Sequence, residues 1–333
     1  MCSDQLVRCL RPMSPLHSPL LALRCLLGGV LMGLANLVPG ISGGTMLLAS
    51  GVYLSFVDAI ADITAFRWSM RSFATLAVIG AGGGAAILLG AGLIRELVES
   101  SRWAMYSVFI GLTLGGIPLL WSLVQPWRGA SILGCLAGLI AMALLAMAPM
   151  TGVGGASNTL LLMLAGLLGG AAMVLPGLSG AYLLLILGQY VLVLAAVESL
   201  QSGAVAEALP VLIPAGVSAV VGVVGVSNIM RWLLRSHPHP THGFLLGLLA
   251  GAVFGLWPFA APRAPQVGEI IRGQAVTQAQ VDATSIEMRH WPLEHVAPSG
   301  GQLMAAFGLI LAGFAASAGI GRLGSTDEST DES

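Results

Sequence analysis

Two stretches decide how this chain folds: Asn36-Leu37-Val38-Pro39-Gly40-Ile41-Ser42-Gly43-Gly44-Thr45 and Leu175-Pro176-Gly177-Leu178-Ser179-Gly180. Each breaks an apolar run with proline and glycine, residues that stop a helix and permit a sharp turn. The two PGxSG segments lie 176 − 39 = 137 residues apart. The same spacing pairs Gly33 with Gly170, Gly51 with Gly188 and Tyr53 with Tyr190. A spacing of 136 then pairs Arg95 with Arg231, Gly111 with Gly247, Gly115 with Gly251 and Trp121 with Trp257. One register with a single-residue slip therefore runs through both halves, and the chain is an internal duplication.

Working outward from the turns, 56% of the 333 residues are hydrophobic and 9% are charged. Uncharged apolar runs recur at the length of a membrane-crossing helix. The expected fold is an all-α polytopic membrane protein of two inverted repeats, each with a broken-helix or re-entrant PGxSG hairpin plus three transmembrane helices. In each half an apolar segment (21–37, then 158–174) leads into the turn and a second apolar stretch (44–60, then 181–197). Helices are expected over 73–94, 104–122 and 129–148, with counterparts near 208–230, 241–260 and 302–320. Residues 1–20 read as a cytoplasmic leader, 21–149 as membrane repeat 1 and 150–157 as a linker. Residues 158–322 read as membrane repeat 2, with an extracytoplasmic insertion at 261–301, and 323–333 as a disordered acidic tail.

Arginine placement sets the expected orientation. With Arg8, Arg11 and Arg24 in the cytoplasm and each PGxSG pair entering and leaving on one side, Arg67, Arg71, Arg128, Arg231, Arg235 and Arg322 also face the cytoplasm. Each half then crosses an odd number of times, so the repeats are inverted and both termini are cytoplasmic. This count fits ten spans or six spans plus two hairpins. The hairpin is favoured, because exposed backbone at membrane depth needs cover from protein or a watery cavity.

The net charge of −1 gives no basic field for nucleic acid. Cys2, Cys9, Cys25 and Cys135 lack metal-site or redox spacing. No metal or cofactor is expected. All fourteen basic residues are arginine, so an anion here is held without lysine. Proline at a helix start, glycines that let a ligand approach, and exposed N–H groups at the next helix form an anion site. Ser42, Thr45 and Ser179 add hydroxyl donors. Interrupted helices meeting near the midplane are where inverted-repeat transporters bind their substrate. Tyr53 and Tyr190 are either interfacial anchors or headgroup contacts. Arg95 and Arg231 are a matched pair for an anionic headgroup at each mouth, or boundary charges. Gly40-Ile41-Ser42-Gly43-Gly44 also fits the GxSxG of serine hydrolases. That chemistry needs a base beside the serine, and His17, His237, His239, His242, His290 and His295 lie in leader, loops or helix edges. The protein is read as a transporter and not an enzyme.

At these residues the chain resembles the polyprenyl-phosphate transporter family, formerly a domain of unknown function. The motifs are NLVPGISGGT with the text on to Tyr53, LPGLSG with the text on to Tyr190, and the stretch from Gly247 to Pro258. The resemblance covers about 20–320. It implies a flippase returning undecaprenyl phosphate, the carrier lipid of cell-envelope synthesis, from the outer to the inner leaflet of the bacterial plasma membrane. Carried over by position, Asn36, Pro39, Gly40, Ser42, Gly43, Gly44 and Thr45, with Pro176, Gly177, Ser179 and Gly180, form the headgroup site. Ala181 departs from the pattern, standing where the family carries a small polar residue. A small-anion carrier fits the same turns.

Overall fold

The computed structural model describes residues 19–38, 40–147, 158–268, 270–271, 274–276, 278 and 293–330. Without water to bond to, an apolar backbone in a bilayer satisfies itself as helix. In the first half lie α1 (Pro19–Asn36), α2 (Gly43–Ala49), α3 (Tyr53–Thr64), α4 (Met70–Ser100), α5 (Arg102–Gly115), α6 (Ile117–Val124) and α7 (Gly129–Ala146). The second half has α8 (Thr159–Val174), α9 (Gly180–Ile186), α10 (Tyr190–Gln201), α11 (Val205–Ser236), α12 (Pro238–Gly255) and α13 (Gly300–Thr330). Between α12 and α13, β1 (Ala260–Pro262) pairs antiparallel with β4 (Leu293–His295), and β2 (Ile270–Ile271) with β3 (Gln274–Ala275). The helical backbone of α13 runs on to Thr330, into the acidic stretch.

The protein is a multi-pass membrane protein. Among the described residues, six helical stretches are long and apolar enough to cross a bilayer: α1, α4, α5 with α6, α7, α11 and α13. Large apolar side chains such as Leu133, Leu144, Phe254 and Phe307 point outward, as lipid-facing residues do. Two further pairs, α2–α3 and α9–α10, are each bent by 117° at a short break.

That bend corrects the expectation of one apolar stretch over 44–60. Gly51 and Gly188 both take φ of 68°, a left-handed conformation that glycine alone adopts freely, and the helix reverses there. The Ser50 hydroxyl donates to the Met46 carbonyl at 2.7 Å, and Arg24 Nε donates to the Ser50 carbonyl at 3.2 Å. The stretch expected as one helix over 104–122 is also divided. Pro118 sits in the first turn of α6, where it has no N–H to bond back to α5.

Helices pack in parallel pairs through small residues, which let backbones approach closely in the absence of a hydrophobic force between helices. In α1 against α4, a side chain on Gly29 would strike the Ile79 backbone and one on Gly33 the Gly83 backbone. The α8–α11 pair repeats this, Gly166 on Ala215 and Gly170 on Ala219. The remaining pairs cross between halves. Gly111 of α5 meets Ile310 of α13, and Gly134 and Gly138 of α7 meet Pro240 and Phe244 of α12. The duplication spacing matches α5 to α12, and element order across the 261–301 insertion matches α7 to α13, so the last helix of each half packs on the other half.

A polar cluster ties α3 to α11. Arg231 Nε lies 3.1 Å from Asp58 and its Nη1 lies 2.6 Å from Asp62. Arg235 Nη2 reaches Asp58 at 3.3 Å, and Asn228 donates to the Thr64 hydroxyl at 2.9 Å. Ser72, at the start of α4, donates to Asp62 at 3.4 Å. The start of α4 therefore sits at the cluster where α11 ends.

Candidate functional site: two interlocked turns

The two turns share one backbone. Gly40 and Gly177 both have φ of 91°. Ser42 (φ −99°, ψ 124°) and Ser179 (φ −101°, ψ 122°) then open α2 and α9 in extended conformation. In both turns a left-handed glycine turns the chain and the serine restarts it as helix, with Pro176 before the glycine in the second turn.

They also touch. The Gly40 amide donates to the Ser179 hydroxyl at 3.2 Å, and the Gly177 amide donates to the Thr45 hydroxyl at 2.7 Å. The Ser42 hydroxyl donates to the Leu175 carbonyl at 3.2 Å and accepts from the Thr45 amide at 3.4 Å. Two turns that lie 137 residues apart thus hold each other's backbone through hydroxyls. Ser42, Thr45 and Ser179 are at most 5% exposed, so these bonds are made away from solvent. The partners of both serine hydroxyls are backbone groups, which is not the arrangement of a nucleophile beside its base.

Seven of the expected site residues meet here: Gly40, Ser42, Gly44, Thr45, Pro176, Gly177 and Ser179. A Cβ on Gly44 would lie 2.9 Å from the Met173 carbonyl, and one on Gly177 would lie 2.6 Å from the Leu248 carbonyl. Gly180 lies against Gly169, and the Asn36 side chain lies over Gly43 at the start of α2. Pro39 lies outside the described residues. Arg95 belongs to α4, with its side chain outside the described residues. Arg231 is engaged by Asp58 and Asp62. Tyr53 is 2% exposed in the core with Leu47, Leu48 and Val57, which removes the anchor reading for it. Tyr190 opens α10. Sequence reasoning passed over Tyr106 and Arg102. Their signal was Tyr106 four residues into a helix after an arginine, the spacing at which side chains meet. Among the described residues, no three His, Cys, Asp or Glu side chains form a metal-binding group.

A protein-family model described as VCA0040-like, undecaprenyl phosphate translocase-like, matches residues 32–269, a span that contains both turns. The chain belongs to this family. It is 30% identical over 246 residues to a polyprenyl-phosphate transporter of Vibrio cholerae serotype O1, covering 70% of this chain and 77% of that protein. It is 29% identical over 248 residues to a polyprenyl-phosphate transporter of Staphylococcus aureus, covering 70% of this chain and 85% of that protein. No solved structure matches the chain. The interlocked turns lie within the matched span of this translocase-like family member.

Proposed function

We propose that the protein is a non-enzymatic transporter of polyprenyl phosphate, acting as a flippase that returns undecaprenyl phosphate from the outer to the inner leaflet of the plasma membrane for envelope synthesis. The observation that carries this reading is the reciprocal bonding of the turns. Each turn offers a glycine amide to an oxygen of the other, Ser179 Oγ or Thr45 Oγ1. A phosphate oxygen is a stronger acceptor than a hydroxyl. On binding it takes the amide hydrogens, and the released hydroxyls turn to donate as well. The helices α2 and α9 are seven residues each, so their dipoles add little. Amides and hydroxyls do the binding.

An inverted arrangement of the halves gives this site mirrored access. Its support lies in three contacts: α1 runs parallel to α4, α8 runs parallel to α11, and α4 begins where α11 ends. Chains entering from opposite faces and turning where they meet are re-entrant hairpins. Arg71, Arg231 and Arg235 gather at the α4 start. The parallel run of α7 with α12 brings Arg128 to the same end. By the positive-inside rule that end, with both termini, faces the cytoplasm.

The names of the two relatives favour a lipid phosphate over a small anion. The test is leaflet exchange of a fluorescent polyprenyl phosphate in liposomes, set beside uptake of soluble phosphate monoesters. Exchange that needs the protein and the tail is the expected result. Uptake of soluble phosphates without lipid exchange would contradict the flippase and leave an anion carrier.

A further inference from the structure

Tyr106 stands one turn inside the start of α5 and is 4% exposed, packed with Val38, Ile41, Met46 and Phe109 beside the first turn. Arg102, the first residue of α5, lays its guanidinium over that ring, 4.5 Å from the centroid. Its Nη2 donates to the Tyr106 hydroxyl at 3.0 Å. Its Nε is enclosed without a hydrogen-bond partner among the described residues. No carboxylate among the described residues pairs with it, in contrast to Arg231 and Arg263.

An enclosed guanidinium nitrogen with no acceptor is costly, and stacking on an aromatic face fixes the fork in one plane. That is a pre-aimed donor set for a planar edge of phosphate oxygens, the ligand for which arginine geometry is suited. The arrangement is one-sided. At the duplication spacing of 136, Arg102 and Tyr106 correspond to Pro238 and His242. One end of the molecule thus has a permanent cation on an aromatic support, and the other has none at the matching place.

Building on the transport reading above, we propose that Arg102, held on Tyr106, binds the phosphate group of the cargo at the α5 end of the molecule before it reaches the turns. Its competing role is a structural one, closing the start of α5, and binding measurements separate the two. The experiment measures radiolabelled farnesyl phosphate on the full chain in nanodiscs, with farnesol and inorganic phosphate as competitors. Arg102→Gln is expected to weaken binding about ten- to hundredfold, the worth of a charged hydrogen-bond set. Arg102→Lys recovers part of the loss, and Tyr106→Phe weakens binding severalfold. Arg128→Gln, an exposed cation at the start of α7, leaves it unchanged. Competition by inorganic phosphate as strong as by farnesyl phosphate keeps Arg102 as the binding group and identifies free phosphate as its ligand. Competition by farnesol alone would overturn the proposal, because the tail would then supply the affinity. Wild-type affinity in Arg102→Gln would overturn this proposal alone, whereas absence of binding in the wild-type protein would overturn the transport reading with it. Should Arg102→Gln fail to fold, unchanged binding in both Arg102→Lys and Tyr106→Phe is the contradicting result.

Discussion

Hairpin α2–α3 and hairpin α9–α10 share their 117° bend and their left-handed glycines, yet all seven residues of α2 are buried and none of α9 is. The backbone of one half repeats in the other, while the restraint around it does not. Ser42 caps α2 through the Thr45 amide, and Ser179 makes no such cap on α9. Arg24 pins the first bend at Ser50, and the matching residues in the second half are Leu161 and Leu187. Asp58 and Asp62 fasten α3 to α11, and their counterparts are Ala195 and Ser199. A duplicated fold needs only the turn text twice. Polar fastening depends on single side chains, and here they sit on the first hairpin. Among the described residues, α2–α3 carries more polar fastening than α9–α10.

The comparison is broken most sharply at the two left-handed glycines. Gly177→Ala sets a methyl 2.6 Å from the Leu248 carbonyl as well as forcing a strained φ, whereas Gly40→Ala meets only the Leu256 side chain at 3.8 Å. Gly40→Ala should cost about 1–2 kcal/mol, the left-handed penalty alone. Gly177→Ala should lower thermal stability in detergent by clearly more. Equal losses would show that the turns do not differ in their surroundings.

Next comes the fastening of α3. Arg231→Ala leaves two carboxylates without their main partner, and a loss of about 1–3 kcal/mol is expected for a pair between the surface and buried limits. Hydrogen exchange over 53–64 should rise with it. A swap, Arg231→Asp with Asp62→Arg, should recover part of the loss. A comparable effect separates the hydroxyls at matched positions. Thr45→Val strands the buried Gly177 amide, at about 1–3 kcal/mol. Tyr182→Phe removes a 3.4 Å contact to the Leu145 carbonyl and should change stability by less than about 0.5 kcal/mol. The smallest effect is at Gln189, 1% exposed, whose Oε1 has no partner among the described residues, where the first half has Val52. Gln189→Leu should be neutral or stabilising in thermal unfolding, because it removes an unsatisfied buried group.

Much of this architecture was legible in the sequence, and the limits have physical causes. The PGxSG repeat gave both turns because proline and glycine act locally on the chain. The bend at Ser50–Val52 was missed although Gly51 and Gly188 stood matched in the same ladder, since a lone glycine in an apolar run has many packing uses. The exchange of α7 and α13 between halves leaves no periodic trace, because lipid-facing and protein-facing sides are equally apolar. Arg231 looked like a mouth residue because charge placement fixes the end of the membrane and not the partner. Asp62 supplied that partner from 169 residues away, with Asp58 a turn before it on α3. Of the candidate site, the hydroxyl and glycine set was readable. Which hydroxyl bonds which amide depended on how the two halves dock.

The central claim is that the interlocked turns part to admit a phosphate. Ser42 and Leu175 face each other across the contact, with the Ser42 hydroxyl 3.2 Å from the Leu175 carbonyl. Replacing Cys2, Cys9, Cys25 and Cys135 and introducing Ser42→Cys with Leu175→Cys allows a short thiol bridge to hold the turns together. Leaflet exchange of a fluorescent polyprenyl phosphate is then followed before and after bridging, and again after reduction. Exchange that stops on bridging and returns on reduction is the predicted result. Exchange that continues undiminished in fully bridged protein would contradict the claim and place the lipid's route elsewhere in the molecule.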